Sequence, residues 1–275
     1  MHLGVRWSSA THPGNLRKQN EDTYLILHFD SKTVSFLGKS GQFSLDENLL
    51  FAVGDGMGGE NSGEFASRIA IDQMTRIFPK ALLQENQVFL DHYEEIFSEL
   101  YREIHHSLLL LGDSYLECRG MGSTLTTCWL SGNHLRFCHI GDSRFYSITP
   151  GTKIEQISHD HTHVGWLLRK GKITPSEARR HPSRNALQKA LGSNHQIVSP
   201  QIGELPLVDG QMLLLCSDGL SDELSDQQIL DILSHPGPLA TEHSLAQTLI
   251  DQGLRRQGKD NMTAVLLEII SLEST

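Results

Sequence analysis

Aspartate closes an apolar run at two places in this chain and opens one at a third. Leu49 to Val53 runs into Gly54-Asp55-Gly56-Met57-Gly58-Gly59, and Leu213 to Cys216 runs into Ser217-Asp218-Gly219. Lys259-Asp260-Asn261-Met262-Thr263 places an aspartate directly before the last apolar run. Short apolar runs bounded by glycine read as buried strands. Each carboxylate therefore sits at a strand end, in the first case inside backbone that glycine makes accessible. Taken alone, an Asp-Gly after a strand is ordinary turn chemistry. Repeated at separate strand ends, it becomes an all-oxygen donor set suited to hard divalent cations.

Other signatures compete for the same residues. Gly54, Gly56 and Gly59 satisfy the dinucleotide pattern G-x-G-x-x-G. That fold needs a compact βαβ unit and an acid at the end of the second strand. Here two helical patterns follow the glycines, the next strand begins near Ser123, and Asp72 falls in mid-helix. Asp55 would also face an anionic pyrophosphate with no compensating cation. Glu60 stands where a Walker loop requires lysine, and no Asp-x-Asp ladder supports an EF-hand. The triad His159, His161 and His163 suggests zinc, but no fourth ligand follows at zinc spacing, so solvated or structural histidines are expected.

The elements that must position the aspartates follow from periodicity. Strands are expected at Leu3–Ser8 and Tyr24–Phe29, joined by a turn-rich loop His12–Asp22. A hairpin-like excursion, Ser31–Glu47, leads back to the strand before Asp55. A helix starting near Ser62, with Asn61 as N-cap and Glu64 at the capping-box position, presents Phe65, Ile69, Ala70, Met74, Ile77 and Phe78 at helical spacing. Pro79 should interrupt it. A second helix is expected over Val88–Leu110, with Phe89, Tyr93, Ile96, Phe97, Leu100, Ile104 and Leu108 on one face. Ser123–Leu130, His134–His139, Arg144–Ile148 and Lys153–Ile157 predict an antiparallel meander. A polar insertion, His161–Arg184, carries its own helix signals: Gly171 as a stop, and Thr174-Pro175-Ser176-Glu177 as a cap. Strands Gln196–Ile202 and Met212–Cys216 come next. Helices follow, one capped by Ser225-Asp226-Gln227-Gln228 and ending before Pro236, the other over Thr241–Arg256, and then a closing strand Thr263–Ile270. No repeat or linker divides residues 1–275, so one domain is expected.

Composition narrows the function classes. The chain has 275 residues, 23 Lys+Arg against 33 Asp+Glu and a formal charge of −10. That balance argues against nucleic acid and anionic membranes as main partners. No apolar run is long enough for a bilayer, and the first residues lack a signal-peptide core. Cys118, Cys128, Cys138 and Cys216 form no C-x-x-C pair, so buried free thiols in a reducing cytoplasm are expected.

Several motifs occur in an order that identifies a family. They are Arg17-x-x-Asn20-Glu21-Asp22, Gly54-Asp55-Gly56-Met57-Gly58-Gly59, Met121-Gly122-Ser123-Thr124-Leu125, His139-Ile140-Gly141-Asp142-Ser143-Arg144, Ala190-Leu191-Gly192, Ser217-Asp218-Gly219-Leu220-Ser221-Asp222 and Asp260-Asn261-Met262-Thr263. Together they resemble the metal-dependent Ser/Thr protein phosphatases of the PPM (type 2C) family, bacterial type, nearly end to end.

The resemblance implies an α+β fold, a four-layer αββα sandwich of two stacked antiparallel sheets flanked by helix pairs, with the metals in a cleft at one edge. It implies two Mn²⁺ or Mg²⁺ ions. Asp55 would bridge them, the Gly56 carbonyl would ligate one, and Asp218 and Asp260 would hold the other. Glu21 and Asp22 would act through metal-bound water. Asp142 and Asp222 match positions that hold a third metal in bacterial relatives, although cap or turn carboxylates explain them equally well. Arg17 would grip phosphate bidentately, the alternative being an ion pair with Glu21 or Asp22. A hydroxide bridging the ions would attack phosphorus in one step, without a phosphoenzyme. Relatives that carry histidine after the Asp-Gly use it to protonate the leaving alkoxide; Met57 cannot. Residues 161–184 correspond to the family's flap, and Arg169, Lys170, Lys172, Arg179, Arg180 and Arg184 there are either a solvated face or a contact for acidic phosphoproteins. Partners implied are phosphorylated proteins, with a cognate Ser/Thr kinase and its substrates, and the chain is expected to be a monomer. Alternatives are a phosphatase restricted to one regulator and a pseudophosphatase binding module; the latter has no need of Asp55, Asp218 and Asp260.

Overall fold

The computed structural model describes residues 2–58, 62–84, 92–193, 198–236 and 244–272, with the side chains of 82–84 left aside. Alternation along the strands builds the architecture. In β2 (Asp22–Phe29) Leu25, Leu27 and Phe29 face helices, while Ile26 faces the other sheet. In β5 (Asn48–Met57) Leu50 and Ala52 point one way and Leu49, Phe51 and Val53 the other. The same period of two in β12 (Met212–Cys216) sends Leu213 and Leu215 between the sheets and Leu214 outward. A strand that is apolar on both faces must be covered on both faces. Two sheets therefore stack, each with helices on its outer face.

One sheet runs β11 (Gln201–Pro206), β8 (His134–Ile140), β7 (Leu125–Ser131), β5, β2, β3 (Val34–Phe36), with β6 (Gly122–Ser123) pairing with the end of β5. The other runs β10 (Lys153–Gln156), β9 (Arg144–Thr149), β12, β13 (Met262–Leu272), β1 (His2–His12), β4 (Ser40–Ser44). Helices α1 (Ser62–Gln84) and α2 (Tyr93–Ser114) cover the first sheet. The second is covered by α6 (Asp226–Ser234) and α7 (Leu245–Arg256), with the short α5 (Asp218–Glu223) beside them. Between β10 and β11 lie α3 (His163–Arg169) and α4 (Pro175–Arg180). The α+β sandwich expected from the sequence is the one observed.

Several local expectations are corrected. The excursion over 31–47 is no hairpin: β3 pairs with β2 and β4 with β1, so the chain crosses between sheets. Trp7 Nε1 donating to the Gly38 carbonyl at 3.1 Å fastens the crossing. The strands from 123 to 157 are not one meander either, since β7–β8 lies in one sheet and β9–β10 in the other. The crossing is Gly141-Asp142-Ser143, where Gly141 adopts φ +115°, a conformation that side chains disfavour. Pro79 sits inside α1 rather than ending it. Met74 and Phe78, in the turn leading into it, are fully buried, and this packing offsets the roughly 3 kcal/mol a helix-interior proline costs. Phe65 is 48 % exposed, because Ala66 and Ala70 present the face that meets the sheet. The strand expected over Gln196–Ile202 is observed as Gln201–Pro206, set by pairing of Ile202 with Cys138 and of Leu205 with Leu135. The Asn61 cap, the start of the second helix at Val88 and Phe89, and the start of the last helix at Thr241 lie outside the described residues. All four cysteines are buried and free. Among the described residues no helix is long and apolar enough to cross a membrane.

Candidate metal centre at the edge of the sandwich

Strand ends converge where the sheets meet. Asp22 begins β2 directly opposite Asp55 near the end of β5. Asp218 opens α5 one residue after β12, and Asp260 precedes β13. Asp142 lies in the crossing between β8 and β9. The expected aspartates are thus brought to one edge by separate strands.

The backbone around Asp55 is held rigidly. Its N–H donates to Thr124 Oγ1 at 2.9 Å, and its carbonyl accepts from Thr124 N at 2.8 Å and Ser123 Oγ at 3.1 Å. Gly56 N donates to the Glu21 carbonyl at 3.1 Å. A Cβ on Gly56 would lie 1.9 Å from the Gly63 carbonyl oxygen, so only glycine allows α1 to start this close.

Asn261 ties the loop bearing Arg17 and Glu21 to the start of β13. Its Nδ2 donates to the carbonyls of Pro13 (2.9 Å) and Gln19 (2.8 Å), and its Oδ1 accepts from Glu21 N at 2.8 Å. Ser217, at the N-cap position of α5, caps nothing. Its Oγ donates to Asp22 Oδ2 at 2.6 Å and accepts from Thr263 N at 2.9 Å. Thr124, Ser217 and the structural role of Asn261 were not anticipated. Ser217 and Asn261 adjoin motif aspartates and Thr124 lies in the Met121–Leu125 motif, but position in a motif assigns no role by itself.

Electrostatically the site is under-compensated. Burial, then repulsion from Asp218 and Asp260, raises Asp22 to about 7 despite the hydrogen bonds from Ser217 and Thr263. Burial, then the charges of Asp22 and Asp218, holds Asp55 well above the usual carboxylate range. Burial and Asp222 raise Asp218 to about 6. Asp142 is raised in the same way, by burial and by Asp218. Burial also raises Glu21. Asp22 Oδ1 is buried with no hydrogen-bond partner. Buried carboxylates are normally paired or bound to metal. Among the described residues the ion pair to these strand-end aspartates is that of Arg17, whose Nη2 donates to Asp260 Oδ2 at 2.9 Å from a largely exposed position. That pairing raises the Arg17 guanidinium further.

A divalent cation fits these residues: the donors are all oxygen, they carry excess negative charge, and one buried oxygen is orphaned. Among the described residues no three His, Cys, Asp or Glu side chains close around one point. An ion held here would complete its shell with the Gly56 carbonyl and water, as small hard cations do.

Asp142, Asp218 and Asp222 line a cavity of about 170 Å³ that reaches beneath α3 and α4. Asp222 is half-exposed and sits 3.4 Å from Arg184. Arg179 lies 3.8 Å from Asp226, Arg169 Nη1 donates to the Asp160 carbonyl, and Lys172 stacks 4.6 Å over Trp166. These basic residues of the 161–184 segment are committed to contacts within the molecule; Lys170 and Arg180 are exposed. Of the histidines, His163 stacks on Trp166, while His161 is joined by His139 in a packed pair.

A family model described as protein phosphatase 2C matches residues 40–269. With the αββα sandwich and the acidic edge already described, this chain belongs to the PPM, or protein phosphatase 2C, family. It is 35% identical over 224 residues to the serine/threonine protein phosphatase PstP of Mycobacterium tuberculosis, a match covering 82% of this chain and 41% of PstP. The chain thus spans about two fifths of the length of that relative. It is 30% identical over 270 residues to the serine/threonine phosphatase stp of Listeria welshimeri, covering 98% and 96% of the two chains. The crystal structure of the PstP catalytic domain in complex with two manganese ions aligns at TM-score 0.73 and 30% identity, covering 98% of this chain and all of that one.

Proposed function

We propose that this chain is a metal-dependent phosphatase that hydrolyses phosphoserine and phosphothreonine in proteins. The observation that carries the proposal is the convergence of Asp22, Asp55, Asp218 and Asp260 from separate strand ends, with Asp22, Asp55 and Asp218 crowded together and raised by burial and mutual repulsion, in a chain of this family. Asp55, Asp218, Asp260 and the Gly56 carbonyl would hold two Mn²⁺ or Mg²⁺ ions, with Glu21 and Asp22 acting through bound water. The relative crystallised with two manganese ions supports that number. When bound, such ions neutralise phosphate charge and make water acidic enough to attack phosphorus near neutral pH.

The residues of this chain do the rest. Arg17 presents a guanidinium fork at the mouth of the site, and its free edge can bind two phosphate oxygens. Its hold on Asp260 fixes the distance between phosphate clamp and metal ligand. Thr124 and Asn261 keep the Asp55 loop and the Arg17 loop in register, so that binding costs little reorganisation. Met57 offers no proton to the leaving alkoxide. Asp142 and Asp222, sharing one cavity, would hold a third ion.

We also take residues 1–275 as one domain with 161–184 as its flap, acting as a monomer in the cytoplasm on phosphoproteins of a cognate Ser/Thr kinase. The charge of −10 and the two named bacterial relatives support that reading. A binding module without activity would have no use for these carboxylates. Asp55→Asn, Asp218→Asn and Asp260→Asn should each lower turnover at least ~100-fold while circular dichroism stays unchanged. Retention of turnover in any of them would remove that residue from the centre.

A further inference from the structure

Two histidines lie behind the acidic edge and take no part in the chemistry above. His139, on β8, is fully buried; its Nε2 donates to the His159 carbonyl at 3.1 Å and its Nδ1 accepts from Thr126 Oγ1 at 2.8 Å. Both nitrogens are therefore committed, and burial lowers the imidazole to about 4, which keeps the ring neutral near pH 7. His161 stacks on it, with centroids 5.0 Å apart and planes 19° from parallel.

His161 grips one residue twice. Its backbone N–H donates to the Gly141 carbonyl at 2.7 Å, and its Nδ1 accepts from the Gly141 N–H at 3.1 Å. An imidazole accepting at Nδ1 is also neutral and carries its proton on Nε2. Gly141 is the left-handed residue of the sheet crossing, immediately before Asp142. A Cβ there would lie 2.5 Å from Thr124 Cβ and Cγ2, so the turn presses against Thr124. Thr124 in turn holds both the N–H and the carbonyl of Asp55, and shares a hydrogen bond with Ser143 Oγ at 2.7 Å. One short relay thus runs from His161 through Gly141 to Asp142, and through Thr124 to Asp55.

We propose that His161 is a positioning residue: by accepting the Gly141 amide at Nδ1 it fixes the turn bearing Asp142 and braces Thr124 against Asp55. A histidine that merely filled the core would be replaced by any ring of similar size. This one satisfies a backbone amide in the tight crossing turn, which a hydrocarbon ring cannot do. Its base is anchored in turn, since the His161 carbonyl accepts from Gln188 N at 2.7 Å. The inference rests on the proposed phosphatase site at Asp55 and Asp142.

The test compares His161→Asn, whose Oδ1 can replace the Nδ1 acceptor, with His161→Phe, which keeps the stacked ring and loses the acceptor. In metal-stripped, ¹⁵N-labelled wild type, His161 should be the Nε2–H tautomer and the Gly141 amide protected from exchange. His161→Asn should keep that protection and stay within about threefold of wild-type kcat, while His161→Phe loses both, with kcat on an aryl phosphate falling ~10- to 100-fold at unchanged KM. Equal losses in the two variants, no loss in His161→Phe, or a protonated Nδ1 in wild type would overturn the proposal. If His161→Phe fails to fold, the tautomer and the His161→Asn result decide. If the tautomer and amide behave as stated but the metal-loaded wild type hydrolyses no phosphoester, the phosphatase reading fails and the grip on the Asp142 turn stands.

Discussion

Replacing Asp22 with asparagine should make the metal-free protein more stable at alkaline pH. Asp22 titrates near 7 in the native state against the usual 3.8, because it is buried among other carboxylates. Between about pH 4 and 7 the native state therefore holds a proton that the unfolded chain has released. Stability is full below about pH 4 and is lost as pH rises through 7. At about 1.4 kcal/mol per pH unit, the charged form costs the native state up to about 4 kcal/mol. Asp22→Asn removes that charge at every pH, and its Oδ1 can still accept from Ser217 Oγ. The new amide needs an acceptor where Asp22 Oδ1 has no partner, which costs about 1–2 kcal/mol if none is found. The net expectation is a gain of about 2 kcal/mol at pH 8 and a loss of about 1–2 kcal/mol at pH 4, where only the cost of the new amide remains. Urea denaturation of chelator-stripped wild type and variant at both pH values measures the difference. Groups away from the site cancel in that comparison, while Asp55, relieved of repulsion from Asp22, adds to the gain at pH 8. Saturating Mn²⁺ should reverse the order, since wild type then gains binding free energy that the variant lacks. Equal destabilisation by Asp22→Asn at pH 4 and pH 8 would refute the reasoning, because the site would then be a hydrogen-bonding framework and not a charge-strained one.

Other substitutions separate the roles within the site. Arg17→Ala should raise KM about tenfold or more with Mn²⁺ affinity, followed by calorimetry, unchanged or improved, since Asp260 is released; lost metal binding would make Arg17 structural. Asp142→Ala or Asp222→Ala should slow turnover and leave two ions in a calorimetric titration, and finding one ion would move that residue into the primary pair. Met57→His should speed phosphoserine peptides more than nitrophenyl phosphate, by at most ~10²–10⁴-fold, because only the alkoxide needs a proton. Equal effects on both substrates would mean that protonation comes from elsewhere.

The architecture was legible because strands buried on both faces leave a plain trace. Leu49 to Val53 and Leu213 to Cys216 are continuous apolar runs, and each ends at an aspartate. What misled was local grammar overridden by packing: Pro79 continues a helix pinned by Met74 and Phe78, and Phe65 falls outside the face made by Ala66 and Ala70. The crossings between sheets near Gly38 and at Gly141 left no periodic signal, since short polar turns look alike whether the chain returns to the same sheet or passes to the other. In the site, the charged residues could be named from the sequence, whereas the residues that hold them could not. Ser217 resembles a helix cap and instead serves Asp22, and Asn261 serves three backbone groups far away in the chain. His161 was read only as one of three neighbours in sequence, although its working partners are His139 and Gly141.

The measurement that bears most directly on the account is hydrolysis of a phosphoserine peptide by protein stripped with a chelator, with metals then added one at a time. No phosphate release is predicted from the stripped protein, with recovery by Mn²⁺ or Mg²⁺ and much less by Ca²⁺, which prefers more ligands at longer distances. Full activity in the metal-free protein would contradict the account.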